Sequence, residues 1–181
     1  MCAQKYAIGN NRFLYAREYK EQTLIHVRQY AIEGFPTKMG FAFPAGRFKQ
    51  LVNSFDQIDK AINSLKENKE MLYKTHLGGG WYVTVATGYY VVNLRRFWVP
   101  PGTQLEVPTK AGICLRFSEW RELKKAVMEM YGDRKDLADV EPCNMSFAHQ
   151  NLLDYLDCIE CCPFKNEECE NELRELYGLY N

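Results

Sequence analysis

Hydrophobic and polar positions follow the same order twice along this chain. Aromatic and β-branched side chains fill Arg12–Tyr19 and Thr23–Ala31, which predicts two strands joined by a turn. A loop containing glycine and proline comes next and leads into a short apolar strand, Gly40–Phe43. Apolar residues then recur at helical spacing over Phe48–Leu65, so a helix is predicted to close this unit.

The second copy repeats this order with a tighter hairpin and a longer loop. Its strands are predicted at Trp81–Val85, Tyr89–Trp98 and Gly112–Phe117, and a helix that includes Trp120–Tyr131 follows, with Ser118 as its N-cap. One short extra strand is expected in each loop, which makes each copy a four-stranded antiparallel meander followed by a helix. A sheet of this size is marginal alone, so the two copies should pack against each other.

The predicted fold class is therefore α+β, with two copies of a four-stranded antiparallel sheet plus C-terminal helix. The copies form an intramolecular pseudo-dimer, and a small helical Cys-rich tail follows them. We divide the chain into a first repeat (1–66), a linker (67–76), a second repeat (77–132) and an acidic tail (133–181). The linker is placed where a Lys-, Glu- and Asn-rich run precedes three glycines. Two short helices, Ser146–Leu156 and Glu167–Tyr177, are predicted in the tail.

Charge is divided unevenly along the chain although the formal net charge is zero. Residues 133–181 contain 4 basic and 12 acidic residues, a net charge of −8, so residues 1–132 carry +8. A basic body indicates an anionic partner and leaves a separate task for the tail; unequal solvated surfaces are the alternative. No run of eighteen apolar residues occurs, so no membrane partner is expected. Seven cysteines and a start without an apolar signal core indicate an intracellular protein.

The order of these residues resembles the C-terminal domain of the positive cofactor four family. The resemblance lies in Tyr6–Phe13, Arg17–Lys20 and Leu24–Tyr30, continues to Ala61, and recurs over Leu77–Met130. Members of that family are transcriptional coactivators that bind single-stranded DNA as homodimers whose paired helices form the interface. The resemblance implies a nuclear protein of the transcription-coactivator type that binds melted DNA, and stacking and phosphate contacts carry little sequence preference.

The resemblance also implies where DNA would be contacted. Carried over residue by residue, the contacts in the first unit are Arg12, Arg17, Tyr19, Lys20, Arg28 and Lys38. Those in the second unit are Arg95, Trp98 and Lys110, to which the adjacent cation Arg96 is added. Cations would track the phosphates and flat side chains would stack on bases. The alternatives are packing against the loop for Trp98, and structural ion pairs for Arg28 and Arg95.

Several departures from the family pattern motivate a second hypothesis. Family contacts are missing at Ala31, Met39 and Ala111, and Arg17 and Tyr19 have no counterparts in the second unit. The two grooves should therefore be unequal. A protein-interaction module that kept the fold and lost nucleic-acid binding is the alternative function, as is an RNA binder.

The tail contains a dense group of cysteines. Cys158, Cys161, Cys162 and Cys169, with His149 or Cys143 nearby, suit a tetrahedral zinc site, because Cys-x-x-Cys supplies a chelating pair. The alternative is a set of reduced cysteines packed between two short helices, with no cofactor. No nucleophile, metalloprotease or phosphate-binding motif occurs, so no enzyme is expected. The acidic tail would contact transcription or replication proteins, or compete with DNA for the body.

Overall fold

The computed structural model describes residues 4–147 and 149–164, which form two four-stranded antiparallel sheets and five α-helices. The first sheet contains, in spatial order, β1 (Tyr6–Gly9), β2 (Arg12–Tyr19), β3 (Gln22–Tyr30) and β4 (Pro36–Pro44). The second contains β5 (Leu72–Gly78), β6 (Trp81–Ala86), β7 (Val91–Trp98) and β8 (Val107–Arg116). Helices follow each sheet, which confirms the predicted α+β fold class.

The helices differ in length and in position along the chain. After the first sheet come α1 (Ala45–Asn53) and α2 (Phe55–Lys66), and after the second come α3 (Phe117–Asp133) and α4 (Lys135–Ala138). A 3₁₀ turn (Cys143–Met145) and a short helix, α5 (Leu152–Asp157), complete the described chain. In this part of the protein, every helix is too short or too polar to span a bilayer.

The fourth strand of each sheet lies at the start of the unit, so the extra strand expected in each loop is wrong. β1 is only four residues long, too short to display a period, and β5 lies within the segment expected to be mostly linker. Leu72–Gly78 alternates Tyr73, Thr75 and Leu77 toward the interior, a pattern that the preceding charged run obscures. The linker between the two units therefore ends before Leu72.

Several predicted helix boundaries are wrong because side chains interrupt or cap the chain locally. The helix predicted over Phe48–Leu65 is divided at Ser54, whose hydroxyl donates to the Gln50 carbonyl (2.9 Å). Ser118 is not the N-cap of α3, because the helix begins at Phe117 and the Glu119 carboxylate accepts the Arg116 amide (2.8 Å).

The tail is less helical than predicted. α5 begins only at Leu152, because the Asn151 side chain caps it by accepting the Asp154 amide at 3.1 Å. The helix expected over Ser146–Leu156 is therefore cut to its second half. The helix predicted at Glu167–Tyr177 lies outside the described residues.

Each unit contributes a helix to the other unit's sheet. α3 packs mainly on β1 and β2, while α2 packs on β5 and β6, and α1 lies over β5 as well as its own sheet. Arg12 of β2 is paired with Glu119 of α3 at 3.0 Å, and Tyr6 of β1 donates to Asp133 at the end of α3 (2.7 Å). This exchange joins both units around one hydrophobic core.

The helices of the two units also meet each other. The indole N–H of Trp120 in α3 donates to Asp59 of α2 at 2.9 Å, and its ring packs edge-on against Phe55 at 5.0 Å. Lys124 of α3 is paired with the same Asp59 carboxylate. These contacts stabilise the helix pair that the family resemblance implies.

The helices pack on one face of each sheet, and strand alternation leaves the other residues on the opposite face, here called the outer face. Fully buried core residues of the two sheets are Leu14, Ile25, Val27, Phe43, Val83, Val85, Leu94, Ile113 and Leu115. On β2 the outer face carries the odd-numbered residues, and on β3 the even-numbered ones. On β6 the outer face begins with Tyr82, and on β7 it includes Arg95 and Phe97.

Candidate nucleic-acid interface

Four aromatic rings and one lysine lie together on the outer face of the first sheet. The Tyr15 and His26 rings stack with centroids 4.7 Å apart and planes 3° from parallel. Phe13 and Tyr30 meet edge to face at 5.4 Å. The Lys5 ammonium lies 4.2 Å from the Tyr30 ring centroid and 5.9 Å from those of Phe13 and Tyr15. These five residues are the first patch, a cation held over flat π faces.

The second sheet repeats this arrangement at equivalent positions. The Lys74 ammonium lies 4.3 Å from the Tyr82 ring and 4.4 Å from the Phe97 ring, and the two rings are 5.1 Å apart. Lys74, Tyr82 and Phe97 form the second patch. The correspondence is visible in the sequence, because Lys-x3-Gly-x3-aromatic occurs at Lys5–Phe13 and again at Lys74–Tyr82. Sequence reasoning missed both lysines and every ring of the two patches, although this spacing could have revealed them.

Arg28 and Arg95 lie on the outer face of each sheet, at equivalent positions. Arg28 donates to the Thr37 carbonyl (3.3 Å) and Arg95 to the Thr109 carbonyl (2.9 Å). Neither guanidinium is paired with a carboxylate among the residues described, which argues against the structural ion pair considered above. Because a guanidinium has five N–H donors, these bonds leave donors for an anion.

Glycine is required opposite each of these arginines. Gly40 pairs with Arg28 and Gly112 with Arg95, and their φ angles are +142° and +155°. A side chain at either glycine would collide with a backbone carbonyl of the neighbouring strand, that of Val27 in the first sheet. The repeat therefore includes the local backbone that positions the arginines.

The remaining predicted cations are exposed around the first patch and on both bulged strands. Arg17 follows Tyr15 on the outer face, and Tyr19, 56% exposed, carries the Lys20 ammonium 5.5 Å from its ring centroid. Lys38 and Lys110 are exposed, each directly after the threonine whose carbonyl binds Arg28 or Arg95. The structure thus places the cations of both units on or beside the outer faces.

Three predicted residues do not join these patches. Arg12 lies on the core side of β2, where its Nη1 atom is 2.6 Å from the Cys114 carbonyl and 3.0 Å from Glu119. Its side chain is only 13% exposed, so Arg12 is a structural link between the units and is dropped from the interface. Arg96 and Trp98 alternate with Arg95 and Phe97, which puts them on the core side of β7. Both are exposed there, Trp98 by 47%, beyond the edge of the core.

The two patches differ in charge. Glu106 accepts hydrogen bonds from Lys74 (2.6 Å) and from the Tyr82 hydroxyl (2.7 Å), so the lysine of the second patch is neutralised. Burial raises the pKa of the Glu106 carboxyl, but these two donors outweigh it and lower that pKa overall. Lys5 has no ion-pair partner in the described part of the chain. The first patch therefore keeps its positive charge.

The histidine of the first patch is neutral at physiological pH. Burial, and then the nearby charges of Arg28 and Arg17, lower the pKa of His26 to about 4. Burial and a hydrogen bond with Tyr30 raise the pKa of Tyr15 to about 12. The stacked pair thus presents flat, uncharged surface between cationic side chains.

Only some of the predicted cysteine cluster comes together. Ligand atoms of Cys143, His149, Cys158 and Cys161 all lie within 4.8 Å of one another. Cys162 does not belong to this group, and Cys169 lies outside the described residues. The four cysteines of the described tail are free thiols, as is Cys114 in β8.

Comparisons with known proteins identify no relative. No protein-family model matches the chain, and no curated protein or solved structure matches it. The relation to the positive cofactor four family therefore remains a resemblance, carried by the residue order quoted above.

Proposed function

We propose that this protein binds single-stranded DNA on the outer faces of its two sheets, in the manner of a transcription coactivator acting on melted DNA. The observation that carries the proposal is the repeated patch, in which a lysine lies over two aromatic rings beside an arginine. The same juxtaposition at equivalent positions of two sheets is not required by the core, which lies on the other face.

Stacking and charge favour a single strand over a duplex. Unpaired bases expose π faces to aromatic side chains, each stack contributing about 1–3 kcal/mol, and cations follow the phosphates. Half-buried rings such as Phe13 and Tyr30 on a sheet surface can reach splayed bases but not bases stacked within a duplex. Neither contact type identifies a base, so binding would be largely independent of sequence.

The first patch should bind more strongly than the second. It has more rings, an unpaired Lys5, and the neighbouring cation Arg17, whereas Glu106 neutralises Lys74. A strand would therefore occupy the first sheet at lower protein concentration and extend to the second at higher occupancy.

The test is fluorescence anisotropy of a labelled oligonucleotide, single-stranded and duplex, across a salt series. Tyr30→Ala should weaken single-strand binding by about 1–3 kcal/mol, and Phe97→Ala should weaken it less. Lys5→Gln should lower the slope of log affinity against log salt by about 1, because one phosphate contact is lost.

Lys60→Gln is the matched control, because Lys60 is exposed on α2, on the side of the sheets away from the outer faces. It should leave the slope of the first site unchanged. Circular dichroism establishes that each variant is folded. A folded Tyr30→Ala protein with wild-type affinity would overturn the assignment of the patch.

A protein-interaction module is the second candidate function. Ile32 and Phe35, in the loop between β3 and β4, are 94% and 71% exposed, which suits an apolar protein contact. Absence of single-strand binding at low salt, in wild-type protein, would favour this candidate. RNA is tested with the same oligonucleotide in ribose form, since the 2′-hydroxyl is the only added recognition group.

A coactivator role implies a nuclear, non-enzymatic protein. Imaging of the tagged full chain tests the nuclear location. The acidic tail would supply contacts to basic transcription or replication proteins, a partner class that the net charge of −8 over residues 133–181 favours.

A further inference from the structure

Four ligand atoms converge in the tail with the spacing of a tetrahedral metal site. The Cys143 sulfur is 3.5 Å from His149 Nε2 and 3.7 Å from the Cys158 sulfur. His149 Nε2 is 3.1 Å from the Cys161 sulfur. Zinc–ligand bonds of about 2.3 Å to sulfur and about 2.0–2.1 Å to nitrogen require ligand atoms about 3.5–3.8 Å apart. The observed separations fall close to that geometry.

The backbone around Cys158 is shaped to receive a thiolate. The Cys158 sulfur accepts hydrogen bonds from the backbone N–H groups of Cys161 and Glu160. The Cys162 amide closes the turn by donating to the Cys158 carbonyl at 2.7 Å. Amide donors around the first sulfur of a Cys-x-x-Cys turn stabilise negative charge, which a chain of neutral thiols would not need.

A disulfide does not account for the cluster. The Cys143 and Cys158 sulfurs are 3.7 Å apart, whereas a disulfide bond is about 2.05 Å long. Three thiols and one imidazole from three separate segments, the 3₁₀ turn, the stretch before α5 and the turn after it, converge on one point.

We propose that Cys143, His149, Cys158 and Cys161 bind one zinc ion. Four protein ligands leave no open position for a substrate, so the site is structural rather than catalytic. Binding releases the thiol protons and leaves the zinc with three thiolates and one neutral imidazole. The proposal does not depend on nucleic-acid binding by the sheets.

The zinc turn attaches the tail to the second sheet. Glu160, between the two ligands of the Cys-x-x-Cys turn, accepts two hydrogen bonds from Arg47 of α1, at 2.7 and 2.5 Å. Its carbonyl accepts the Gly79 amide in the β5–β6 turn at 2.7 Å. Side chains at Gly78 or Gly79 would collide with Glu160 and Arg47, so the turn is shaped for this contact. The metal would fix the orientation of Glu160 toward Arg47.

The test measures metal in the full chain, expressed with added zinc and purified under reducing conditions. Wild-type protein should contain one zinc per chain, and Co²⁺ substitution should give the charge-transfer and visible bands of a tetrahedral thiolate site. Cys158→Ser and Cys161→Ser should lose the bound metal. Cys162→Ser and Cys169→Ser are the matched controls and should keep it, because the first is outside the cluster and the second lies beyond the described residues.

The outcomes separate a metal site from packed thiols. Wild-type protein that contains no zinc and gives no Co²⁺ bands would overturn the proposal, as would full zinc content in a folded Cys158→Ser protein. Loss of zinc in Cys162→Ser or Cys169→Ser would overturn the assigned ligand set. If a ligand variant does not fold, the wild-type zinc content and Co²⁺ spectrum still decide the question. Chelation should also speed proteolytic cleavage after Asp139 severalfold while leaving residues 4–133 protected.

Discussion

Lys5 and Lys74 occupy equivalent positions over equivalent rings, yet only Lys74 faces a carboxylate. Glu106 comes from the loop between β7 and β8, which is longer than its counterpart between β3 and β4. The extra residues therefore bring an acid onto one patch and not the other. At the scale of single residues, this one side chain accounts for most of the difference in charge between the two faces.

Glu106→Gln should tighten single-strand binding. Glutamine can still accept the Tyr82 hydroxyl but no longer neutralises Lys74, so one more cation is available to a phosphate. We expect the slope of log affinity against log salt to steepen by up to about 1, measured by anisotropy titrations. Asp56→Asn, on an exposed position of α2, makes the same change in net charge. An equal effect of both variants would mean that net charge, and not the patch, is responsible.

At the scale of elements, the exchange of helices decides which pieces can fold. The core face of the first sheet is covered mainly by α3, which lies beyond residue 116 in the chain. A single unit would expose Leu14, Ile25 and Val27, which are fully buried in the whole protein. Burial of each such side chain contributes about 1.5–3 kcal/mol, so its loss is large against the stability of a small domain.

A fragment of residues 1–70 should therefore yield no folded monomer. It should be unfolded or form dimers in which α1 and α2 of each copy cover the sheet of the other. Circular dichroism with light scattering after size-exclusion chromatography distinguishes these states, and the full chain serves as the folded monomeric reference. A fragment that unfolds cooperatively as a monomer would show that the exchange is dispensable.

The sequence contains enough information for the strands and for much of the site, but not for the exchange. β2 was predicted with its observed bounds, because aromatic and aliphatic residues alternate over all eight positions. The same alternation puts Arg12 on the side of Leu14, and Arg96 on the side of Leu94, so their wrong placement was avoidable.

Other features depend on contacts between distant residues. Trp120 would suit the apolar face of either sheet, so periodicity does not say which one its helix covers. Lys5 and Tyr30 meet only after three strands have paired in register. In the tail, spacing alone could not choose Cys143 over Cys169 as the fourth partner of the cluster.

At the scale of the whole molecule, the acidic tail continues from a point beside the second patch. The ring of Phe164, where the described chain ends, packs at Gly80 in the β5–β6 turn, near the Phe97 carbonyl. Residues 165–181 contain 2 basic and 5 acidic residues, a net charge of −3. An anionic segment attached at this position would compete with a strand for the cations of the second sheet.

Truncation after Phe164 should tighten single-strand binding at low salt and have little effect at high salt, where the repulsion is screened. This deletion keeps Cys143, His149, Cys158 and Cys161, so the attachment of the tail to the second sheet stays intact. Anisotropy titrations of the full and truncated chains at several ionic strengths make the measurement. Identical affinities at low salt would contradict competition and leave the tail as a docking segment for proteins.

The presence of both units in one chain has a consequence for how the two faces change over time. In a homodimer a single gene encodes both faces, so every substitution appears twice and the faces stay identical. Here a mutation alters one face only, as Glu106 illustrates by opposing Lys74 without a counterpart near Lys5. Selection can therefore keep one face as a strong site and adapt the other, while the exchanged helices prevent either unit from being lost.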